Sequence, residues 1–180
     1  MVKSEKEKML AGEPYNPLDS ELAAISGATK SLLLKFNTSN DQTLLESLFK
    51  QKLDGVKVVA PFFCDYGQNI KFGKNVFVNF NCTFLDCAEI EIGDNCMIAS
   101  DVKLYTATHP INPEERNSGL ESAKPIKIRA NCWIGGGAII LPGVEIGEGT
   151  TIGAGSVVTK NIPSRVVAVG NPCKVVKEVC

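Results

Sequence analysis

From Ile128 onward an aliphatic β-branched residue recurs every sixth position: Ile128, Ile134, Ile140, Ile146, Ile152 and Val158. The next residue is often glycine (Gly135, Gly147, Gly153), and four places after the beat stands a small or β-branched residue: Cys132, Ala138, Val144, Thr150, Ser156. A hexapeptide period is the signature of a parallel β-helix. Six residues make a short strand and a turn, so three hexads close one triangular coil. The aliphatic residue points inward and stacks on its equivalent one coil up, at about the ordinary 4.7–4.9 Å strand spacing. Glycine suits the corners, where φ > 0 carries no steric penalty. One hexad buries nothing alone, so stability must come from neighbouring coils.

The same beat runs earlier with poorer spelling. Phe72, Val78, Phe84 and Ile90 are six apart, and Ile92, Ile98 and Leu104 resume after a two-residue slip. The slip, at Ala88–Glu91, is expected in a corner. Leu104 and Ile128 are four hexads apart, so the frame survives the intervening segment, Thr106 to Pro125. That segment is rich in Pro, Asn, Ser and charge and reads as an irregular loop thrown out of the coil. Long loops of this kind are usually functional. The beat thus spans Phe72 to Val158, roughly five coils.

Three units are expected: an N-terminal helical cap over 1–58, the β-helix over 59–160 with its extruded loop at 106–125, and a tail over 161–180 folding back on the last coil. In the cap, Leu22, Ile25, Leu32, Leu33 and Phe36 form an amphipathic stretch with Asp19-Ser20 as N-cap candidates. Ser39 to Gln42 reads as a capping box before Leu44, Leu45, Leu48 and Phe49. These helices should lie across the first coil, whose open sheet edge needs covering.

Composition narrows the function classes. The formal net charge is −1, which offers no basic footprint for nucleic acid. No apolar run has membrane-spanning length, and the charged start lacks a secretory core. The expectation is a cytoplasmic protein. Its seven cysteines contain no Cys-x-x-Cys pair. Cys64 and Cys82 are one coil apart and Cys96 and Cys132 two, which fits reduced thiols packed in the solenoid.

The single histidine, His109, stands at the root of the loop. Such junctions of rigid scaffold and loop carry binding and catalytic residues disproportionately. An imidazole also exchanges protons near pH 7 without a large shift. A metal-dependent lyase on a coil of this kind would need several histidines per site, so no metal is expected.

Several motifs carry a resemblance. Tyr105-Thr-Ala-Thr-His109-Pro, Arg116-Asn-Ser-Gly and Trp133-Ile-Gly-Gly are similar to those of the maltose and galactoside O-acetyltransferases, hexapeptide-repeat enzymes with a left-handed parallel β-helix. So are Cys64-Asp-Tyr-Gly-Gln-Asn-Ile70, Asn79-Phe-Asn81, Ile92-Gly-Asp-Asn-Cys96, Val169-Gly-Asn-Pro172 and the N-terminal Met9-Leu-Ala-Gly-Glu-Pro-Tyr15. The resemblance implies a mainly β fold of left-handed coils, acetyl-CoA as co-substrate, a sugar hydroxyl as acceptor, and a homotrimer with sites between subunits.

It implies His109 as general base, with Glu121 as a candidate to orient it. Asp19, Asp65, Asn79 and Asp86 carry over as acceptor ligands. Trp133, Gly136, Ala154, Thr159 and Lys160 carry over as the lining of the acetyl-CoA groove, and the Gly135–Gly137 corner as a source of oxyanion donors. Lys174 and Lys177 match positions where relatives have arginines for the CoA phosphates; lysine keeps the charge without the bidentate fork. Cys87 stands where the galactoside branch has a second acid, which argues against a galactoside, while Asp65-Tyr66 leans toward the maltose-like branch. Two rivals remain: a non-catalytic β-helix scaffold, which would be expected to lose the histidine, the loop or the groove, and a xenobiotic acetyltransferase, against which the helical cap speaks.

Overall fold

A computed structural model describes residues 2–179 and shows a mainly β solenoid of parallel coils, left-handed and about six turns long. Met1 and Cys180, which end the cap and the tail, lie outside the described residues. The first face stacks Lys57–Val58, Phe77–Val78, Met97–Ile98, Trp133–Ile134, Thr151–Ile152 and Val166–Val169, and Lys174–Glu178 then closes it antiparallel. The second face stacks Phe62–Cys64, Cys82–Leu85, Lys103–Tyr105, Ile139–Ile140 and Val157–Val158. The third stacks Ile70–Phe72, Ile90–Ile92, Ile126–Ile128 and Glu145–Ile146. Every residue of the Ile128-to-Val158 beat is at most 1 % exposed. The parallel ladder therefore extends beyond both ends of the segment where the beat is well spelled.

Register explains the poor spelling. Val58 pairs with Val78 and Val78 with Ile98, a step of twenty residues, whereas Ile134 pairs with Ile152, a step of eighteen. In the early coils the two extra residues fall between the second and third faces, after Cys64 and again after Leu85. In the next coil this corner throws out the loop. The slip expected at Ala88–Glu91 thus lies at Asp86–Glu89, because Ile90 and Glu91 already pair with Ile70 and Lys71. Another corner hides its signal differently. Asn75, Asn95 and Asn131 take the left-handed conformation that Gly149 takes one coil further on. Asparagine tolerates that region through local hydrogen bonding, and here the side chains bond coil to coil at 3.3 and 3.2 Å, ending on Glu148 at 3.2 Å.

The cap consists of α1 (Glu5–Leu10), α2 (Ser20–Ser39) and α3 (Leu44–Phe49). It closes the first coil with side-chain amides, each of which offers a donor and an acceptor as a neighbouring strand would. Gln42 donates to the Val58 carbonyl at 2.8 Å and accepts from the Val58 N–H at 3.2 Å. Asn37 does the same for Phe62, at 2.9 Å both ways, and Gln51 accepts from the Phe72 N–H at 3.4 Å. Every face of the prism receives one. The expected capping box does not form: Ser39 ends α2, Asn40 turns left-handed, and Gln42 is drawn to the sheet edge instead. Beneath the amides, Phe49 packs edge-on against Phe62 and Phe72, with ring centroids 5.9 and 4.9 Å apart. No helix among the described residues is long and apolar enough to cross a membrane.

Candidate functional site

The widened corner between the second and third faces gathers the polar residues of the coil. Asp86 is 0 % exposed, and its carboxylate accepts from the N–H groups of Asp65, Tyr66 and Asn69 at 3.0, 2.8 and 3.3 Å. The Asn69 amide in turn donates to the Asp86 carbonyl at 2.7 Å. Burial dominates over these bonds and pushes the Asp86 carboxyl up to about 6. Asp86 therefore faces inward and holds the corner above it in shape. Asp65, half-buried, is the carboxylate presented at that corner. Burial raises its pKa, partly offset by the Cys87 thiol, which donates to it at 3.6 Å. Cys87 is itself pushed up to about 12, chiefly by burial, and is thus a neutral donor here.

One coil on, the same corner carries the loop, which has more order than its composition suggested. Ala107–Thr108 pairs antiparallel with Ser122–Ala123, and a short helix, Pro113–Arg116, caps the tip with Asn112 at its N-terminus. The hairpin is tied to the coil through Thr106, whose hydroxyl donates to the Leu85 carbonyl at 2.6 Å and accepts from the Ala88 N–H at 2.9 Å. His109 follows directly on the first hairpin strand. Thr108 pairs with Ser122, so His109 stands opposite Glu121. Its Nε2 lies 3.8 Å from Glu121 Oε1, with the imidazole side chain 55 % exposed. A half-exposed base beside a carboxylate, at the rim of a buried polar corner, can take a proton from a hydroxyl placed against it.

A different edge, between the first and second faces, holds Asn79, Gly136 and Ala154. Here backbone geometry carries the message. The Gly135 and Gly137 N–H groups donate within the coil, to Ile152 and Ser100 carbonyls at 2.8 and 2.9 Å. That removes two of the three expected oxyanion donors. The N–H groups of Ser100, Gly136 and Ala154 have no partner among the described residues. They form a file of outward donors, one per coil, and a chain-like ligand with amide carbonyls would satisfy them. Gly135 cannot bear a side chain, since a Cβ would stand 2.6 Å from the Ala154 nitrogen.

The remaining expected residues are dispersed. Asn79 sits on the donor edge with its side-chain amide oxygen accepting from the Phe80 N–H at 2.9 Å. Trp133 lies 51 % exposed on the first face, between Met97 and Thr151. Thr159 and Lys160 follow Val158 on the widened-corner side, Lys174 and Lys177 ride the closing antiparallel strand, and all four are exposed. Asp19 is the N-cap of α2, accepting from the Glu21 and Leu22 N–H groups. Within one chain, then, Asp65, Asp86, Glu121 and His109 share one edge while Asn79, Gly136 and Ala154 share another. Ser100 was not foreseen, because an uncommitted N–H has no residue-type signature.

Comparison with known proteins follows the same lines. Residues 8–54 match a family model described as the maltose acetyltransferase hexapeptide capping motif, and residues 125–160 match the bacterial transferase hexapeptide model. A Schizosaccharomyces pombe protein provisionally named an acetyltransferase is 44% identical over 97% of this chain and 92% of its own. A maltose O-acetyltransferase from Clostridium difficile 630 superposes with a TM-score of 0.97 at 47% identity over 100% of both chains. A galactoside acetyltransferase in complex with coenzyme A gives 0.94 at 37% identity, covering 99% of this chain and 92% of the other. A hexapeptide-repeat acetyltransferase from Vibrio cholerae, complexed with acetyl coenzyme A, gives 0.93 at 34% identity over 99% and 100%.

Proposed function

The chain belongs to the hexapeptide-repeat acetyltransferases, in the maltose and galactoside O-acetyltransferase group, and on that premise we propose that it moves an acetyl group from acetyl-CoA to a sugar hydroxyl. The observation that carries this reading is the sole imidazole, His109, set 3.8 Å from Glu121 at the rim of the polar corner. In a neutral imidazole one ring nitrogen donates and the other accepts. The nitrogen facing Glu121 keeps its proton, and the other takes the proton of the acceptor hydroxyl. The hydroxyl oxygen then attacks the thioester carbonyl, the C–S bond breaks, and the imidazolium returns its proton to the departing thiolate.

The oxyanion formed in between needs a preorganised donor. The Gly136 N–H is the one member of its glycine corner free for the task. The neighbouring free N–H groups of Ser100 and Ala154 suit the amide carbonyls of the pantetheine arm, with Trp133 beside them and Thr159 and Lys160 across the groove. Lys174 and Lys177 supply charge for the phosphates. Asp65, Asn79 and Asp19 bind the acceptor, and Asp86 serves that pocket by fixing the Asp65 backbone. No metal takes part.

Because the base and the donor file occupy different edges of one prism, the complete site is composite, and closed cyclic symmetry completes every site equally. The assembly proposed is a homotrimer in which the His109 edge of one chain faces the donor edge of the next. The described cysteines are all unpaired, which suits a reducing cytoplasm.

An acceptor panel tests this reading. Purified protein with acetyl-CoA and maltose, glucose, a galactoside or a chitooligomer should release free thiol and yield a mono-acetylated sugar by mass spectrometry. Turnover confined to antibiotic acceptors would move the function to the xenobiotic class. No turnover with either set would leave a scaffold.

A further inference from the structure

The N-terminal cap approaches the active corner through one residue, Tyr15. It is 1 % exposed and lies in a small core with Met9, Leu22, Tyr66, Cys87, Ala88 and Ala123, apart from the main core of the prism. Its backbone forms an antiparallel bridge with Glu121: the Tyr15 N–H donates to the Glu121 carbonyl at 2.9 Å and the Glu121 N–H to the Tyr15 carbonyl at 3.1 Å. The cap thereby adds a one-residue antiparallel bridge to the edge of the loop hairpin. Residues directly opposite one another on antiparallel strands project from the same face. Glu121 faces Tyr15 on one side and, by the Thr108–Ser122 register, His109 on the other.

The side chains follow that row. Tyr15 Oη donates to Glu121 Oε2 at 3.0 Å, while Glu121 Oε1 is the atom 3.8 Å from His109 Nε2. One carboxylate oxygen is held from behind by a buried phenol, which leaves the other aimed at the base. Burial raises the Tyr15 phenol well above its ordinary value, so it stays a donor at any working pH. Without that bond, Glu121, only 22 % exposed yet on a loop strand, would be free to rotate away from the ring.

We propose that Tyr15 is a positioning residue for acetyl transfer: through Glu121 it fixes the orientation and tautomer of His109, which makes the cap a structural member of the active site as well as a cover for the first coil. This rests on the proposed role of His109 as base. Second-row partners of this kind orient a histidine by holding the group that holds it.

The test is Tyr15→Phe, which keeps the buried ring and removes only the hydroxyl. The loss of one buried hydrogen bond corresponds to a fall in kcat of about 5–10-fold, with both KM values near wild type. His109 is the only histidine, so nitrogen-15 NMR of the imidazole needs no assignment. In wild type the neutral ring should show one dominant tautomer, and in Tyr15→Phe a mixture. Tyr15→Phe added to Glu121→Gln should cost nothing further, since both act through one group. An unchanged tautomer pattern in Tyr15→Phe, or full additivity with Glu121→Gln, would overturn the proposal. The NMR reading requires no turnover, so it decides the relay even if no sugar proves to be an acceptor.

Discussion

Replacing His109 by alanine should lower kcat for acetyl transfer by about 10²–10⁴-fold, the usual loss when a general base is removed. Folding should be untouched. The side chain is 55 % exposed, and its 3.8 Å contact with Glu121 orients the ring while adding little to stability. The thermal midpoint should therefore stay at the wild-type value, and acetyl-CoA should bind nearly as before, because the backbone donors of Ser100, Gly136 and Ala154 are untouched by the substitution. A kcat within a few-fold of wild type in a folded variant would mean that some other group takes the hydroxyl proton.

Asp86→Ala should do the opposite and act mainly on stability. It strands the N–H groups of Asp65, Tyr66 and Asn69 at a corner where Asp86 is their acceptor. An unsatisfied buried donor costs about 1–3 kcal/mol, so a total of about 3–5 kcal/mol is expected once the corner relaxes. The effect should depend on pH with a definite sign. The folded carboxyl is raised to about 6, above its unfolded value. The stability that Asp86 contributes is then fully present below the unfolded value and is lost as pH rises through about 6. Denaturant titrations should accordingly show the gap between wild type and Asp86→Ala widening as pH is lowered from 7 towards 5. A gap that narrows over that range would mean that Asp86 is held in its ionised form. Activity in Asp86→Ala should fall only as far as Asp65 is misplaced.

Much of this molecule can be read along the chain, because a solenoid makes long-range contacts periodic. The Ile128-to-Val158 beat marks the inward column in advance, since the residue stacked above is always one coil on. The early coils resist the same reading for two physical reasons. Asparagine replaces glycine at left-handed corners, and two extra residues at one corner look like a broken repeat until the coils are stacked. Those extra residues matter, as they make room for Asp86 and the loop. His109 is visible because it is unique. Tyr15 is not, because its bond to Glu121 spans 106 positions and depends on a strand pairing that no local pattern announces. Gln42 misleads for a related reason: it satisfies a capping motif locally, yet the unpaired Val58 backbone claims its amide.

The central claim is that the catalytic base and the opposite wall of each site come from different chains. Mixing His109→Ala with Asn79→Ala, after dissociation and reassembly, tests it most directly. In a random 1:1 mixture each composite site receives an intact His109 edge half the time and an intact Asn79 edge half the time, so about one quarter of wild-type activity should return. No recovery, with subunit exchange verified by mass spectrometry, would contradict the account and place each complete site within a single chain.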